Sequence, residues 1–213
     1  MSPLRVNRLH HPVTALGYGS RAGIWVQGCS IGCRGCASRD TWDADAGEPM
    51  EPAEIVEWLD SLGSVDGVSV SGGEPFQQAE ALAELLGAIV EWRGNRPVDV
   101  LAFSGYAWPR LAAEPAFAPA LDRCDAVVAG PYVDARNTGA PLRGSDNQRI
   151  VVLTALGTAR YGAGVDLPPR RMQVASDGDR IRLIGIPQRG DLDRVVEGLA
   201  ARGIALESVS WRS

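Results

Sequence analysis

Short apolar runs rich in β-branched residues alternate along this chain with stretches whose apolar positions recur at helical spacing. Residues 23–27 (Gly-Ile-Trp-Val-Gln), 67–71 (Gly-Val-Ser-Val-Ser), 98–103, 126–129 and 149–153 read as buried strands. Residues 51–62 predict a helix with Pro52 in its first turn and Ile55, Val56 and Leu59 on one face. Residues 77–93 predict a longer one carrying Leu82, Leu85, Leu86, Ile89 and Val90, and 109–121 is a weakly helical stretch interrupted by proline.

Such alternation builds an α/β fold around a parallel sheet, with right-handed crossovers placing helices on one side. Ligands of such sheets bind beyond the carboxyl ends of the strands. About 150 residues form the core, too few for a complete eight-fold barrel of about 250, so a partial, open barrel is expected. Residues 154–170, rich in Gly, Ala and Pro, read as a linker. Beyond them, 172–175 and 180–184 flank the Ser176-Asp177-Gly178-Asp179 turn and predict a hairpin; 192–202 predicts a helix and 206–211 a last strand. The expected division is a core over 1–153, the linker, and a small α+β appendage over 171–213.

Composition narrows the chemistry. The formal charge of −5 over 213 residues argues against a nucleic-acid binder held by phosphate contacts. Every Lys/Arg position is Arg, which removes Schiff-base lysines and lysine-dependent phosphate loops. No apolar run reaches the roughly 18 residues of a membrane span, and residues 1–10 lack a secretory core; the expectation is a cytoplasmic protein. In a reducing compartment, its four cysteines are metal ligands or core residues rather than disulfides.

Three of them stand in eight residues, Cys29-Ser-Ile-Gly-Cys33-Arg-Gly-Cys36, directly after a predicted strand. Gly28, Gly32 and Gly35 each precede a cysteine, where they permit positive φ and let backbone N–H groups approach sulfur. Structural zinc takes four closed ligands, usually in two pairs; three local thiolates suit a [4Fe–4S] cube with one open iron. A zinc knuckle completed by Cys124, His10 or His11, and a ferredoxin-like carrier completed by Cys124, are the competing readings. Ser71-Gly72-Gly73-Glu74-Pro75-Phe76 follows the next predicted strand and opens the 77–93 helix. The glycine pair lets a ligand meet bare backbone, and Glu74 offers a carboxylate for an ammonium group.

These motifs together resemble the radical S-adenosylmethionine (SAM) superfamily, and within it the anaerobic ribonucleotide reductase activating proteins and related glycyl-radical activases. Further matching residues are Gly17-Tyr18-Gly19-Ser20-Arg21, Val26-Gln27-Gly28, Thr41-Trp42, Ser104-Gly105-Tyr106, Gly130-Pro131-Tyr132 and the run Arg143-Gly144-Ser145-Asp146-Asn147-Gln148-Arg149. Many superfamily members carry an aromatic before the third cysteine where this chain has Gly35. The subgroup often follows that cysteine with an aromatic and Asn, where Ala37 and Ser38 stand here. The resemblance implies a [4Fe–4S] cluster on Cys29, Cys33 and Cys36 and an open radical SAM-type β/α barrel. It also implies reductive cleavage of SAM to a 5′-deoxyadenosyl radical that abstracts hydrogen from a substrate. Gly72, Gly73 and Glu74 would hold the methionine ammonium, the backbone of Gly35, Cys36 and Ala37 would line the adenosine, and Ser104 and Tyr106 would contact SAM or substrate. No catalytic side chain beyond the cluster ligands is implied.

Ser104 to Tyr106 reads equally as a plain turn, Cys124 as a core thiol, and the tryptophans as core or rim packing. The 143–149 segment reaches the active face only if the strand after it runs antiparallel or the loop folds back. The expected partners are a glycyl-radical protein and a flavodoxin- or ferredoxin-type reductant, with no membrane and no nucleic acid. The competing functions are a radical SAM enzyme acting on a small molecule, such as a 7-carboxy-7-deazaguanine synthase, and a non-catalytic metal-binding module.

Overall fold

The computed structural model describes residues 3–177 and 180–212. Its centre is four parallel strands, β2 (Arg21–Val26), β4 (Gly67–Gly72), β5 (Asp99–Ser104) and β6 (Ala126–Ala129), paired in that order. Antiparallel strands extend both sides. β1 (Leu4–Val13) pairs with β2 and with the short β3 (Glu48–Met50), while β7 (Arg149–Val152) pairs with β6. The crossovers are α1 (Pro52–Ser61), α2 (Ala79–Arg93) and the short pair α3 (Trp108–Ala113) and α4 (Ala118–Leu121).

Alternation along the strands divides the sheet into two faces. Ile24, Val26, Val68, Val70, Val100, Ala102, Val127 and Ala129 pack under the helices with Ile55, Leu59, Leu82, Leu85, Leu86 and Ile89. The helices therefore form where the apolar positions require them, and Glu51 and Glu54 close a capping box at the start of α1. Trp25, Leu101, Phe103, Ala126 and Val128 belong to the other face. There Trp25 meets Val13, Leu16 and Ile184, the last from the hairpin of β8 (Met172–Asp177) and β9 (Arg180–Gly185). Gln173 ties this hairpin to β1, accepting from the Thr14 N–H at 3.0 Å and donating to the Pro12 carbonyl at 2.6 Å. The helix α6 (Asp191–Ala200) follows.

At the amino ends of β2, β4 and β5 the sheet is plugged by Arg21, whose side chain is 0% exposed. Its guanidinium donates to both Asp99 carboxylate oxygens at 2.7 and 2.8 Å, to Ser69 Oγ at 2.6 Å, and to the Val68 and Tyr18 carbonyls at 2.8 and 3.1 Å. Arg160 also pairs with Asp99, and the Tyr161 hydroxyl donates to it at 2.9 Å.

Several elements depart from the sequence expectation. Residues 154–170, expected as linker, contain α5 (Ala155–Tyr161), capped by the Thr154 hydroxyl, which accepts from the Gly157 N–H at 3.1 Å. The small residues read as loop composition, yet Gly157 is a helix residue without room for a side chain: a Cβ there would strike the Asp125 carbonyl. Residues 206–211 form coil and turn rather than a strand; among the described residues the hairpin sheet consists of β8 and β9, and 206–211 joins no ladder. The 77–93 helix begins at Ala79 after a 3₁₀ turn, Pro75–Gln78. β1 and β3 were not legible; β1 is only partly buried and carries Arg and His at intervals. The tip of the predicted hairpin turn, Gly178 and Asp179, lies outside the described residues. Among the described residues, no helix is long and apolar enough to cross a membrane.

Candidate active site at the carboxyl ends of the strands

β2 ends at Val26, and the chain turns through Gln27 and Gly28 into the cysteine loop. Gly28, Gly32 and Gly35 take φ of 93°, 61° and 78°, left-handed values that glycine adopts without strain. Thr41 and Trp42 hold the start of the loop, their carbonyls accepting from the Gly28 and Cys29 N–H groups at 2.8 and 3.0 Å. Gln27, 1% exposed, staples the loop's far limb by donating to the Asp43 carbonyl at 2.7 Å.

All three thiols are half-buried, and backbone N–H groups face each of them. Burial pushes the Cys29 thiol up, opposed by N–H groups of Ile31 and Gly32. Burial does the same at Cys33, opposed by the N–H of Tyr132. Ser38 donates its N–H to Cys36 Sγ at 3.4 Å. The charge of Cys36 further favours the neutral thiol at Cys29 and Cys33, and that of Cys29 does so at Cys33. Among the described residues, no three His, Cys, Asp or Glu side chains gather to hold a single metal ion. Thiolates of a cube each attach to a separate iron, so they need not converge on one point.

The Gly-Gly-Glu-Pro turn stands directly beside this loop. Gly73 donates its N–H to the Val26 carbonyl at 2.8 Å, and Glu74 to the Gly28 carbonyl at 2.9 Å. The approach is too close for side chains: a Cβ on Gly72 would lie 2.6 Å from the Val26 oxygen, and one on Gly73 would strike the Gly28 oxygen. The glycine pair therefore serves loop-to-loop packing at the same time as it bares backbone.

Glu74 is 1% exposed, and its carboxylate points along the strand ends. One oxygen accepts from Ser104 Oγ at 2.8 Å and the Phe76 N–H at 3.1 Å, the other from the Gly105 N–H at 2.6 Å. Burial raises its pKa to about 7, against these three donors and the charge of Arg110. Ser104 and Gly105 thus spend their polar groups on Glu74. Tyr106 is buried, stacked on Phe117 with ring centroids 5.8 Å apart, and its hydroxyl accepts from Gln77 at 3.1 Å. Gln77 in turn reaches the cysteine loop, donating to Ser30 Oγ at 2.7 Å.

Because β7 runs antiparallel to β6, the connection between them, 130–148, lies wholly on this face. That brings the Arg143 to Arg149 segment to the site. Gln148 caps the loop by accepting from the Gly144 N–H at 2.6 Å and donating to the Gly130 carbonyl at 2.8 Å. Asn147 donates to the Pro131 carbonyl at 2.7 Å. The Tyr132 ring lies against Gly35, 3.4 Å from where a Cβ would stand. An aromatic ring thus reaches the third-cysteine turn from another loop.

The remaining candidates lie elsewhere. Cys124 is fully buried at the opposite end of β6, its thiol pushed up to about 12 by burial. His10 pairs with Gly23 in β1, in the half of β2 away from the cysteines, and His11 is its neighbour. Sequence reading missed Tyr132 as a neighbour of the third-cysteine turn and the glutamines Gln27, Gln77 and Gln78 as staples, the last donating to the Gln27 carbonyl at 2.9 Å and accepting from the Arg5 N–H at 2.7 Å. The Gln-Gln pair after Gly-Gly-Glu-Pro was the available signal for the last two.

Comparison with known proteins identifies the class first. Residues 15–151 match the family described as "4Fe-4S single cluster domain", and the chain belongs to that family, as a radical SAM enzyme of the activase type. The relatives narrow it. The anaerobic ribonucleoside-triphosphate reductase-activating protein of Escherichia coli K12 is 30% identical over 148 residues, 66% of this chain and 94% of that protein. Its counterpart in enterobacteria phage T4 is 29% identical over 63% of this chain and 85% of its own. The pyruvate formate-lyase-activating enzyme of Listeria monocytogenes is 33% identical over 38% of this chain and 34% of its own. Among solved structures, that of QueE from E. coli aligns with a TM-score of 0.44 at 16% identity, covering 95% of this chain and 92% of that one. The cofactors of this class are a [4Fe–4S] cluster and SAM. The residues present fit them: three thiols faced by N–H donors, beside a backbone turn free of side chains.

Proposed function

We propose that this chain activates a glycyl-radical enzyme, with anaerobic ribonucleoside-triphosphate reductase as its partner, by reductive cleavage of SAM. The supporting observation is the junction of the two motifs: the Cys29 loop and the Gly72-Gly73-Glu74 turn are hydrogen-bonded backbone to backbone at the ends of adjacent parallel strands. A likeness spanning 94% of an E. coli activating protein supports the choice of partner.

In this reading Cys29, Cys33 and Cys36 ligate the cluster. The Gly72 and Gly73 backbone holds the methionine ammonium, and Gly35, Cys36 and Ala37 line the adenosine. Glu74 acts from beneath: its carboxylate clamps the ends of β4 and β5 together through Ser104 and Gly105, and Tyr106 steadies the cysteine loop through Gln77. The cofactor pair, when bound, supplies one-electron cleavage of a sulfonium to a 5′-deoxyadenosyl radical. The protein's part is to hold the reactants and keep water out. The sheet serves as an open β/α barrel whose carboxyl-end mouth admits a protein loop, and a flavodoxin- or ferredoxin-type reductant delivers the electron.

Anaerobic reconstitution tests this. Expected are about four iron atoms per chain, 5′-deoxyadenosine formed from SAM under a strong reductant, and a glycyl-radical EPR signal on a co-purified anaerobic reductase large subunit. Stoichiometric zinc without iron would refute the reading; SAM cleavage without any glycyl radical would refute the choice of partner.

A further inference from the structure

Arg170 lies beyond the residues matched by the family, in the segment leading to the β8–β9 hairpin. Its guanidinium is aimed back at the active face and is saturated there. Nε donates to the Ala140 carbonyl at 2.9 Å, Nη1 to Asn137 Oδ1 at 2.8 Å and the Pro187 carbonyl at 3.1 Å, and Nη2 to the Gly144 carbonyl at 3.0 Å and to the Arg143 carbonyl. One side chain thus gathers four points of the 130–148 connection and one from the end of the hairpin. Partial burial lowers its pKa.

From Asn137 the contacts lead directly to the cysteines. Asn137 Nδ2 donates to the Tyr132 hydroxyl at 3.1 Å and to the Pro187 carbonyl at 3.1 Å. The Tyr132 hydroxyl donates to Asp134 Oδ1 at 2.9 Å, and Arg189 closes the circuit with Asp134 at 3.2 Å. The Tyr132 ring is wedged between Gly35 and Gly144, where added Cβ atoms would lie 3.4 and 2.9 Å away. With hydroxyl and ring both held, Tyr132 is fixed against Gly35, in the turn between Cys33 and Cys36.

We infer that Arg170 is a positioning residue for the cluster: through Asn137 it holds the Tyr132 ring on the Gly35 turn and so directs the Tyr132 backbone N–H toward the Cys33 sulfur, and in this way the carboxyl-terminal extension sets the cluster's reduction potential and retention. Hydrogen bonds to cluster sulfurs favour the more negative, reduced state, and outer partners of metal ligands act on affinity without touching the metal. The inference rests on the reading of Cys33 as a cluster ligand.

The test uses the full chain, reconstituted anaerobically, with Arg170→Gln, Arg170→Lys and Tyr132→Phe. The last keeps the backbone N–H and the ring but cuts the link to Asn137 and Asp134. Far-UV circular dichroism establishes that each variant is folded. Two quantities are read: the midpoint potential from an EPR-monitored titration, and the rate of iron loss to a chelator. Arg170→Gln is expected to show a more negative midpoint and about tenfold faster iron loss. Tyr132→Phe should move both in the same direction, and Arg170→Lys should recover part of each. Folded Arg170→Gln and Tyr132→Phe proteins with wild-type potential and iron retention would overturn the inference alone. If Arg170→Gln does not fold, Tyr132→Phe decides by the same two readings. A wild-type chain that takes up no [4Fe–4S] cluster would overturn the proposed function, and this inference with it.

Discussion

The charged plug at the amino ends of the strands gives a prediction that can be worked through from its contacts. Arg21→Met keeps an unbranched side chain of related length but removes every donor. Ser69 keeps one bond, since its hydroxyl donates to the Leu16 carbonyl at 2.7 Å. Asp99 keeps Arg160 and Tyr161. The Val68 carbonyl and both Asp99 carboxylate oxygens lose the Arg21 donors. Breaking a buried ion pair from one side costs about 3–5 kcal/mol. The surviving Arg160 contact places the expected loss at the lower end, about 3 kcal/mol, a large share of a typical domain's stability. Urea unfolding of the apoprotein at pH 7 measures it. The acid limb supplies a second reading. Burial pushes the Asp99 carboxyl up, but Arg21, Arg160 and Tyr161 together hold it below its ordinary 3.8. A depressed carboxyl stabilises fully above its unfolded value and loses that contribution as pH falls through the folded one. In Arg21→Met the acid transition therefore moves to higher pH. Because Arg21 stands at the opposite end of the sheet from the cysteines, iron uptake per folded chain should be unchanged. A loss below about 1 kcal/mol, or an acid limb that does not move, would refute the account of Arg21 as a buried pair.

Other outcomes follow from the site. Glu74 titrates near 7 in the folded chain against an ordinary 4.5, so the native state binds more protons between these values and apoprotein stability falls as pH rises through them. Glu74→Gln should flatten that slope, removing a difference of up to about 3 kcal/mol between pH 4.5 and 7.5, as measured by urea midpoints across the range. Gly73→Ala drives a methyl into the Gly28 carbonyl and should cost about 1–3 kcal/mol, with iron uptake falling because the cysteine loop is displaced; normal uptake would contradict the packing role. Alanine at Cys29, Cys33 or Cys36 should each abolish cluster uptake, whereas Cys124→Ala should retain it and lose only about 1 kcal/mol of stability; iron analysis separates the two.

Both motifs were legible in the sequence because their chemistry is local. Three thiols in eight residues and a Gly-Gly-Glu-Pro turn after a short apolar strand carry their geometry within themselves. The structure added what depends on distant pairing. The role of Arg21 rests on Ser69 and Asp99, 48 and 78 positions away. The placement of 143–149 hung on the direction of β7, which its four residues do not reveal. Arg170 meets Asn137 across 33 residues, in a stretch whose composition reads as linker. Glu74 shows a subtler gap. Its presence at the turn was readable, but the direction of its carboxylate depended on Ser104 and Gly105, one crossover away.

The sheet face opposite α1 and α2 bears on how the chain must be made. Trp25 and Phe103 belong to a cluster closed by Ile184 and Ala175 of the late hairpin, so strands finished early wait for a cover synthesised after all of them. Until β8 and β9 emerge, a nascent chain carries α1 and α2 on one side and an uncovered Trp25 on the other. Such an interval invites association with other chains. Expression of this protein should therefore respond to translation speed and chaperone supply more strongly than its final stability would suggest.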